Sequence, residues 1–252
     1  MIAGVDEAGR GSVLGPLVVA GIAIEEGNVK RLAELGVKDS KLLTPRKRSL
    51  LFRQIKKLTV GVRIERIEPR FIDEVVRKGE RLYRLNYLEA RHMAKALARL
   101  DFEMAYVDCC DTNQVRFGDL VADLLLEERI RIDDRKIKGA RIGLHTELGK
   151  ENPLRQKIKS EHHADRNYLV VSAASVIAKV TRDAAIKRLY AEHGEFGSGY
   201  PSDPQTVQFL KRFIDSSIDL PSFTRLSWAT IARVIAEGKA RVIEDFVRDE
   251  AV

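Results

Sequence analysis

The chain has 252 residues, 44% hydrophobic and 32% charged, a composition typical of a folded globular protein and not of a disordered one. Its 44 Lys and Arg exceed its 37 Asp and Glu by seven, and a net charge of +7 is compatible with a polyanionic partner. No apolar run is long enough to cross a bilayer and no signal segment is evident, while the adjacent Cys109 and Cys110 suit neither an ordinary disulfide nor a zinc framework. We therefore expect a cytoplasmic protein without membrane contact.

Apolar runs typical of strands alternate with helical patterns along the first half of the chain. The predicted strands lie at residues 2–6, 13–24, 60–67 and 103–109. The predicted helices lie at residues 29–36, from Thr44-Pro45 onward, at 79–100 and at 114–129. The turn 9–12 is rich in glycine and joins the first two strands.

The second half is mainly helical. Residues 133–160 are highly charged, and we interpret them as an insertion around a fifth strand. A long helix is predicted over 168–192, with further helices near 205–214 and 226–249. Strands with interleaved helices, followed by a helical tail, predict an α/β core over 1–194 and a C-terminal helical region over 195–252. No heptad pattern is evident, so a monomer is expected.

Acidic residues stand where an α/β sheet commonly assembles a site. Asp6 and Glu7 follow the first apolar run, Asp108 ends the fourth predicted strand, and Asp165 precedes the long helix. Neighbouring carboxylates resist burial as bare charges, and a divalent cation would offset that cost. Oxygen ligands suit Mg²⁺ or Mn²⁺ better than zinc, and four carboxylates can hold two ions roughly 3.5–4 Å apart. The alternative is that these residues are ordinary charges at element ends.

Eight short blocks lie in order along residues 1–230. They are DEAGRG (6–11), GP (15–16), DSK (39–41), YVD (106–108), HHAD (162–165), AASVIAK (173–179), GSGYPSDP (197–204) and LPS (220–222). In these blocks the chain resembles type 2 ribonuclease H, the ribonuclease HII group, and is most similar to its archaeal members. The resemblance implies an RNase H-like catalytic domain with a mixed five-stranded sheet and flanking helices, plus a small C-terminal helical part.

The resemblance also implies an activity. The protein is expected to hydrolyse the RNA strand of RNA–DNA hybrids and to nick duplex DNA on the 5′ side of a single ribonucleotide. The ends would be a 3′-hydroxyl and a 5′-phosphate, and the role would be removal of ribonucleotides and RNA primers in DNA replication and repair. Asp6, Glu7, Asp108 and Asp165 would be the catalytic, metal-binding carboxylates of a two-metal-ion hydrolysis with Mg²⁺ or Mn²⁺.

Substrate contacts are implied at further positions. The backbone around Gly9, Arg10 and Gly11 would read the 2′-hydroxyl, the group that distinguishes RNA from DNA. Tyr200 would pack against the sugar next to the ribonucleotide. The candidates for phosphate contacts are Ser40, Lys41 and Lys179. Each of these features has a structural alternative: a tight turn, a loop anchor, or solvated lysines.

Other segments depart from the family pattern. Leu42 and His163 stand where many members have lysine, so one phosphate contact is missing at each place. The basic residues of 46–57 either follow the nucleic-acid backbone or form a solvated helix face, and the insertion 133–160 either adds duplex contacts or forms a hairpin. Residues 242–247 are similar to a sliding-clamp binding tail but lack its glutamine and paired aromatics.

Two other kinds of protein compete with this interpretation. A structure-selective DNA nuclease of the same fold would use similar carboxylates but has no need for Gly9, Arg10, Gly11 and Tyr200. A non-enzymatic basic nucleic-acid-binding module gives no reason for the placement of the four carboxylates. Cleavage of an all-DNA duplex separates the first rival from the ribonuclease.

Overall fold

The computed structural model describes residues 1–37, 43–77, 81–136, 152–216 and 218–238. Within these ranges the strands form one five-stranded sheet in the order β3-β2-β1-β4-β5. The strands are β1 (Ile2–Ala8), β2 (Leu17–Ile24), β3 (Gly61–Ile67), β4 (Met104–Asp108) and β5 (Ile158–Glu161). β1 pairs antiparallel with β2 and parallel with β4, and β4 pairs parallel with β5. The predicted mixed five-stranded sheet is confirmed.

Helices flank the strands in the chain order expected of an α/β protein. They are α1 (Val29–Glu34), α2 (Pro45–Leu58), α3 (Pro69–Arg77), α4 (Arg81–Ala98), α5 (Gln114–Lys136), α6 (Ala164–Asn167), α7 (Leu169–His193) and α8 (Pro204–Asp215). Residues 229–238 are also helical. The predicted start of α2 is confirmed, because the hydroxyl of Thr44 accepts the amide of Lys47 at 3.3 Å ahead of a proline at the first helical position. No helix in the described ranges is long and apolar enough to span a membrane.

Several elements differ from the predictions. The first strand continues to Ala8, two residues beyond its predicted end. The second strand begins at Leu17 and not at residue 13, because Gly15 has a φ of 82° and Pro16 lacks an amide donor. Helix α3 was not predicted, although its proline start is a helix signal. Helix α5 runs to Lys136, inside the predicted insertion, whose residues 137–151 lie outside the described residues.

One compact unit comprises Met1–Ala8, Val18–Arg66 and Leu82–Thr181. Every residue of β2 is buried, as expected for an inner strand covered on both faces. A Cβ on Gly4 would lie 2.6 Å from the carbonyl carbon of Val170, so β1 packs directly against the first turn of α7. This close packing fixes the strand that carries Asp6 and Glu7.

A second compact unit comprises Gly9–Leu17, Ile67–Arg81 and Arg182–Val252. Its core contains an aromatic group in which the ring centroid of Phe196 lies 5.2 Å from that of Phe209 and 5.3 Å from that of Phe223. The segment after β1 belongs to this unit, because the Val13 amide donates to the Gly199 carbonyl at 2.8 Å. The early segments Gly9–Leu17 and Ile67–Arg81 therefore belong to the same compact unit as the C-terminal part. The domain boundary at residue 194 stays a prediction.

Candidate active site

The ends of two parallel neighbouring strands bring acidic residues together. In the pairing of β1 with β4, Val5 lies opposite Val107, so the next residues along the two strands are Asp6 and Asp108. Carboxyl ends of parallel strands meet at one edge of a sheet, where α/β proteins commonly place their ligands. Asp108 ends β4 as predicted, whereas Asp6 and Glu7, predicted at the end of the first strand, lie within β1 because its pairing with β2 continues to Ala8.

Three of the predicted carboxylates form a compact acidic group among the described residues. One carboxylate oxygen each from Asp6, Glu7 and Asp108 lies within 4.8 Å of the other two. Asp6 is buried, and the other two are half-buried. Oxygen atoms at this spacing can bind a hard divalent cation such as Mg²⁺ or Mn²⁺.

The electrostatics of Asp6 show why the acidic group needs a compensating charge. Burial raises the pKa of Asp6 well above its usual value, and the charges of Glu7 and Asp108 raise it further. Hydrogen bonds from the Ser175 hydroxyl and the Glu7 amide act in the opposite direction, the latter with a nitrogen–oxygen distance of 2.7 Å. These two donors partly compensate the carboxylate, and a bound cation would add the remaining positive charge. The residues therefore fit a metal site.

Asp108 links the end of β4 to the loop that carries the fourth predicted ligand. Its Oδ1 accepts the backbone N–H of Ala164 at 2.7 Å. The next residue, Asp165, is buried in the first turn of α6, and its backbone carbonyl accepts the hydroxyl of Ser172. Among the described residues, Asp165 does not join the three-carboxylate group at 4.8 Å spacing, and it lies on the short helix α6. Its role as a fourth ligand stays a prediction.

The glycine-rich turn after β1 lies in the second unit. Gly9 has a φ of 90°, and a Cβ there would lie 2.8 Å from the Pro16 carbonyl oxygen, so this position requires glycine. Ser12 closes the turn by donating its hydroxyl to the Gly9 carbonyl at 2.9 Å. Gly11 differs, because it is exposed and a Cβ there would meet no described atom within 4 Å. Contacts with the described atoms therefore give no reason for a glycine at position 11.

The remaining predicted contacts have different placements. Tyr200 is half-buried, and the guanidinium carbon of Arg182 lies 4.7 Å from the centre of its ring. Lys179 is half-buried on α7, four residues after Ser175 and hence on the same side of that helix. Ser40 and Lys41 lie outside the described residues.

Sequence reasoning assigned no role to three polar residues around these features. They are Ser175, which contacts Asp6, and the buried Arg182 and Arg225. A signal was present for Ser175 and Arg182, since each is a polar residue on a helix whose neighbours are largely alanine, valine and isoleucine. Polar residues buried in apolar surroundings need hydrogen-bond partners.

A mixed five-stranded sheet with clustered carboxylates on adjacent strands defines the class of metal-dependent nucleases with the RNase H-like fold. The family model described as ribonuclease HII matches residues 3–231, which is most of the chain. The chain therefore belongs to the ribonuclease HII family, and it is a type 2 ribonuclease H, an endonuclease that acts on RNA–DNA hybrids.

Archaeal relatives match nearly the full length. A ribonuclease HII of Thermococcus onnurineus is 39% identical over 235 residues, covering 92% of this chain and 89% of the relative. The crystal structure of ribonuclease H2 from Pyrococcus horikoshii superposes with a TM-score of 0.76 at 37% identity, covering 94% and 98% of the two chains. The ribonuclease HII in a PCNA complex from Archaeoglobus fulgidus gives a TM-score of 0.74 at 35% identity, covering 93% and 96%.

Proposed function

We propose that this ribonuclease HII also nicks duplex DNA on the 5′ side of a single embedded ribonucleotide, using two Mg²⁺ or Mn²⁺ ions. The observation that carries the proposal is the group of Asp6, Glu7 and Asp108 carboxylates on the adjacent strands β1 and β4. Asp165 would complete the ligand set. When bound, the ions supply Lewis-acid activation and charge stabilisation at the scissile phosphate. The products would be a 3′-hydroxyl and a 5′-phosphate.

The chain's own residues hold the carboxylates ready for this chemistry. Ser175 and the Glu7 amide orient Asp6, and the Ala164 amide orients Asp108. Ligands held in place by such hydrogen bonds need little reorganisation when a metal and a phosphate bind. None of these side chains has to act as a covalent nucleophile.

The glycine turn supports recognition of the 2′-hydroxyl. Since the described atoms around Gly11 leave space for a side chain, a substrate that approaches the backbone closely is a physical reason for glycine there. Backbone groups at Gly9, Arg10 and Gly11 can hydrogen-bond a 2′-hydroxyl without reading the base, which suits a sequence-independent enzyme. Tyr200 would pack against the adjoining sugar.

A duplex with one ribonucleotide should be nicked once, on the 5′ side of that nucleotide, when Mg²⁺ or Mn²⁺ is titrated into the protein. An all-DNA duplex of the same sequence should be cut at least about 10⁴-fold more slowly, because its missing hydroxyl leaves polar groups unpaired. Denaturing gels and polymerase extension of the nicked 3′ end measure rate and end chemistry. An intact ribonucleotide-containing duplex would contradict the proposal, and equal cutting of both duplexes would favour a structure-selective nuclease.

Helix α2 is a candidate surface for the phosphate backbone. Its sequence contains six Lys and Arg and no acidic residue. Exposed Arg46, Lys47 and Arg53 line a surface groove of about 570 Å³ together with Thr44, Ser49 and Leu50. Cations that replace counterions along a duplex make binding steeply dependent on salt.

The double variant Arg46→Gln/Arg53→Gln should therefore bind a catalytically inert substrate duplex less tightly. The slope of log K against log salt should fall by about 0.9 for each phosphate that the variant no longer neutralises. The control is Arg63→Gln/Arg66→Gln, which removes the same charge from exposed positions of β3. Fluorescence anisotropy at several salt concentrations measures both slopes, and equal slopes would show that α2 is only a solvated face.

Cellular context adds two further proposals. We propose that the enzyme removes ribonucleotides and RNA primers from DNA, and that it acts in the cytoplasm as a monomer. A sliding clamp is a candidate partner, supported by the Archaeoglobus fulgidus relative that was solved as a complex with PCNA. Residues 242–247 lack the glutamine and paired aromatics of a clamp-binding motif and lie outside the described residues, so this proposal rests on the relative alone.

A further inference from the structure

Arg182 is a buried cation on α7 that none of the roles above uses. Its side chain is only 3% exposed, and its Nη2 donates to the Ser198 carbonyl at 2.6 Å. Its guanidinium carbon lies 4.7 Å from the centre of the Tyr200 ring, within the range of a cation–π interaction. The same side chain therefore fixes both the backbone before Tyr200 and the ring itself.

Arg182 also packs against the turn that follows β1. A Cβ added to Gly9 would lie 3.4 Å from Arg182 Nε, and a Cβ added to Gly199 would lie 3.1 Å from Arg182 Nη2. Both glycines have positive φ, 90° at Gly9 and 79° at Gly199. The guanidinium thus contacts two loops whose unusual backbone conformations are both built on glycine.

We propose that Arg182 is a specificity-determining positioning residue, which holds the Tyr200 ring and the Gly9 turn in a fixed arrangement for reading a ribonucleotide followed by a deoxyribonucleotide. The inference rests on the proposed function, since it takes Tyr200 and the Gly9 turn as substrate contacts. A planar guanidinium with several fixed donors suits such a task better than an ammonium. Rigid placement of contact groups before binding is what gives a site its selectivity.

A purely structural role for Arg182 has a different signature. Loss of packing alone would lower stability and would reduce activity on every substrate by the same factor. Loss of positioning would reduce activity most on the substrate that contains an RNA–DNA junction. The ratio of kcat/KM for a single-ribonucleotide duplex to kcat/KM for a continuous RNA–DNA hybrid separates the two.

The test is Arg182→Lys in the full chain, with kcat and KM measured on both substrates. Lysine keeps the charge but offers neither a plane to the ring nor a fork of donors, so the ratio should fall by about tenfold. Arg188→Lys is the matched control, because Arg188 is exposed on the same helix, and its ratio should equal that of the unmodified protein. Thermal unfolding of each variant confirms that the folded protein is compared.

A double-mutant cycle asks whether Arg182 acts through Tyr200. Tyr200→Ala should lower the ratio by itself, and adding Arg182→Lys to it should cause little further loss. If the lysine variant does not fold, Arg182→Gln keeps a donor for the Ser198 carbonyl and enters the same cycle.

The outcomes distinguish the inference from the function on which it rests. The role of Arg182 would be overturned if Arg182→Lys lowered kcat/KM by the same factor on both substrates. It would also be overturned if the ratio in the double variant fell by the product of the factors of the two single variants. If the unmodified protein leaves the single-ribonucleotide duplex intact, the proposed function itself fails, and that result is visible before any variant is made. Retention of the ratio in both the lysine and the glutamine variants would also overturn the inference.

Discussion

Asp108→Asn is expected to lower the cleavage rate on an RNA–DNA hybrid by about 10³-fold, because it removes one of the clustered charges that we propose bind and orient the catalytic ions. The exchange is nearly isosteric. The amide oxygen of asparagine can still accept the Ala164 N–H that Asp108 accepts at 2.7 Å. The connection between β4 and α6 should therefore survive, so that the loss reports on chemistry and not on unfolding.

Substrate binding should be largely retained in this variant. Removal of a negative charge from a group that already contains Asp6 and Glu7 lowers the repulsion toward a phosphate. The matched control is Asp101→Asn, since Asp101 is an exposed acid outside the three-carboxylate group. Single-turnover rates and anisotropy titrations on the same duplex separate cleavage from binding, and wild-type rates for Asp108→Asn would remove Asp108 from the active site.

The acidic group was predictable because its signals are local. An apolar run predicts a buried strand, and acids that follow the run are placed near the carboxyl end of that strand, although β1 continues past Asp6 and Glu7 to Ala8. The pairing of β1 with β4 then brings Asp6 and Asp108 side by side. The position of Asp165 is harder to predict. Asp165 lies in the first turn of the short helix α6, and the place where a helix starts depends on the loop before it. The convergence of the first three acids therefore follows from strand pairing, whereas the position of Asp165 does not.

The buried Arg225 was not predictable in the same way. Arg225 hydrogen-bonds to residues 210 and 215 positions earlier in the chain, and no short-range pattern encodes such an interaction. The same holds for Gly4, whose need for glycine comes from the backbone of Val170. Apolar periodicity shows which face of an element is buried, but the partner on the other side is set by tertiary packing.

Arg225→Met is expected to destabilise the second unit by about 2–4 kcal/mol, because it leaves buried carbonyl groups without donors. Arg225 is fully buried. Its Nη1 donates to the Arg10 carbonyl at 2.8 Å, and its Nη2 and Nε donate to the Gly15 carbonyl at 3.1 and 3.2 Å. The Arg225 side chain therefore holds both ends of the segment from Arg10 to Gly15, which follows β1.

Two opposing effects decide how much stability the Arg225→Met variant loses. Burial, together with the nearby charge of Arg182, lowers the pKa of Arg225 to about 9, so the side chain is still charged at neutral pH. Its desolvation costs free energy that methionine would recover. Methionine keeps most of the packing volume but loses the guanidinium whose central carbon lies 5.0 Å from the centre of the Trp228 ring. The unpaired carbonyls remain, however, at about 1–3 kcal/mol each, and they outweigh the recovered desolvation.

Chemical denaturation with the full chain measures the effect, with Arg225→Lys and Arg233→Met as companions. Lysine keeps the charge but cannot donate to both carbonyls in a fixed fork, so it should fall between the wild type and Arg225→Met. Arg233 is 60% exposed with only a long ion pair of 3.9 Å to Glu237, and its loss should change the free energy of unfolding by less than about 0.5 kcal/mol. If Arg225→Met unfolds like Arg233→Met, the buried guanidinium does not hold this segment, and packing against the aromatic core alone must fix the turn that carries Gly9, Arg10 and Gly11.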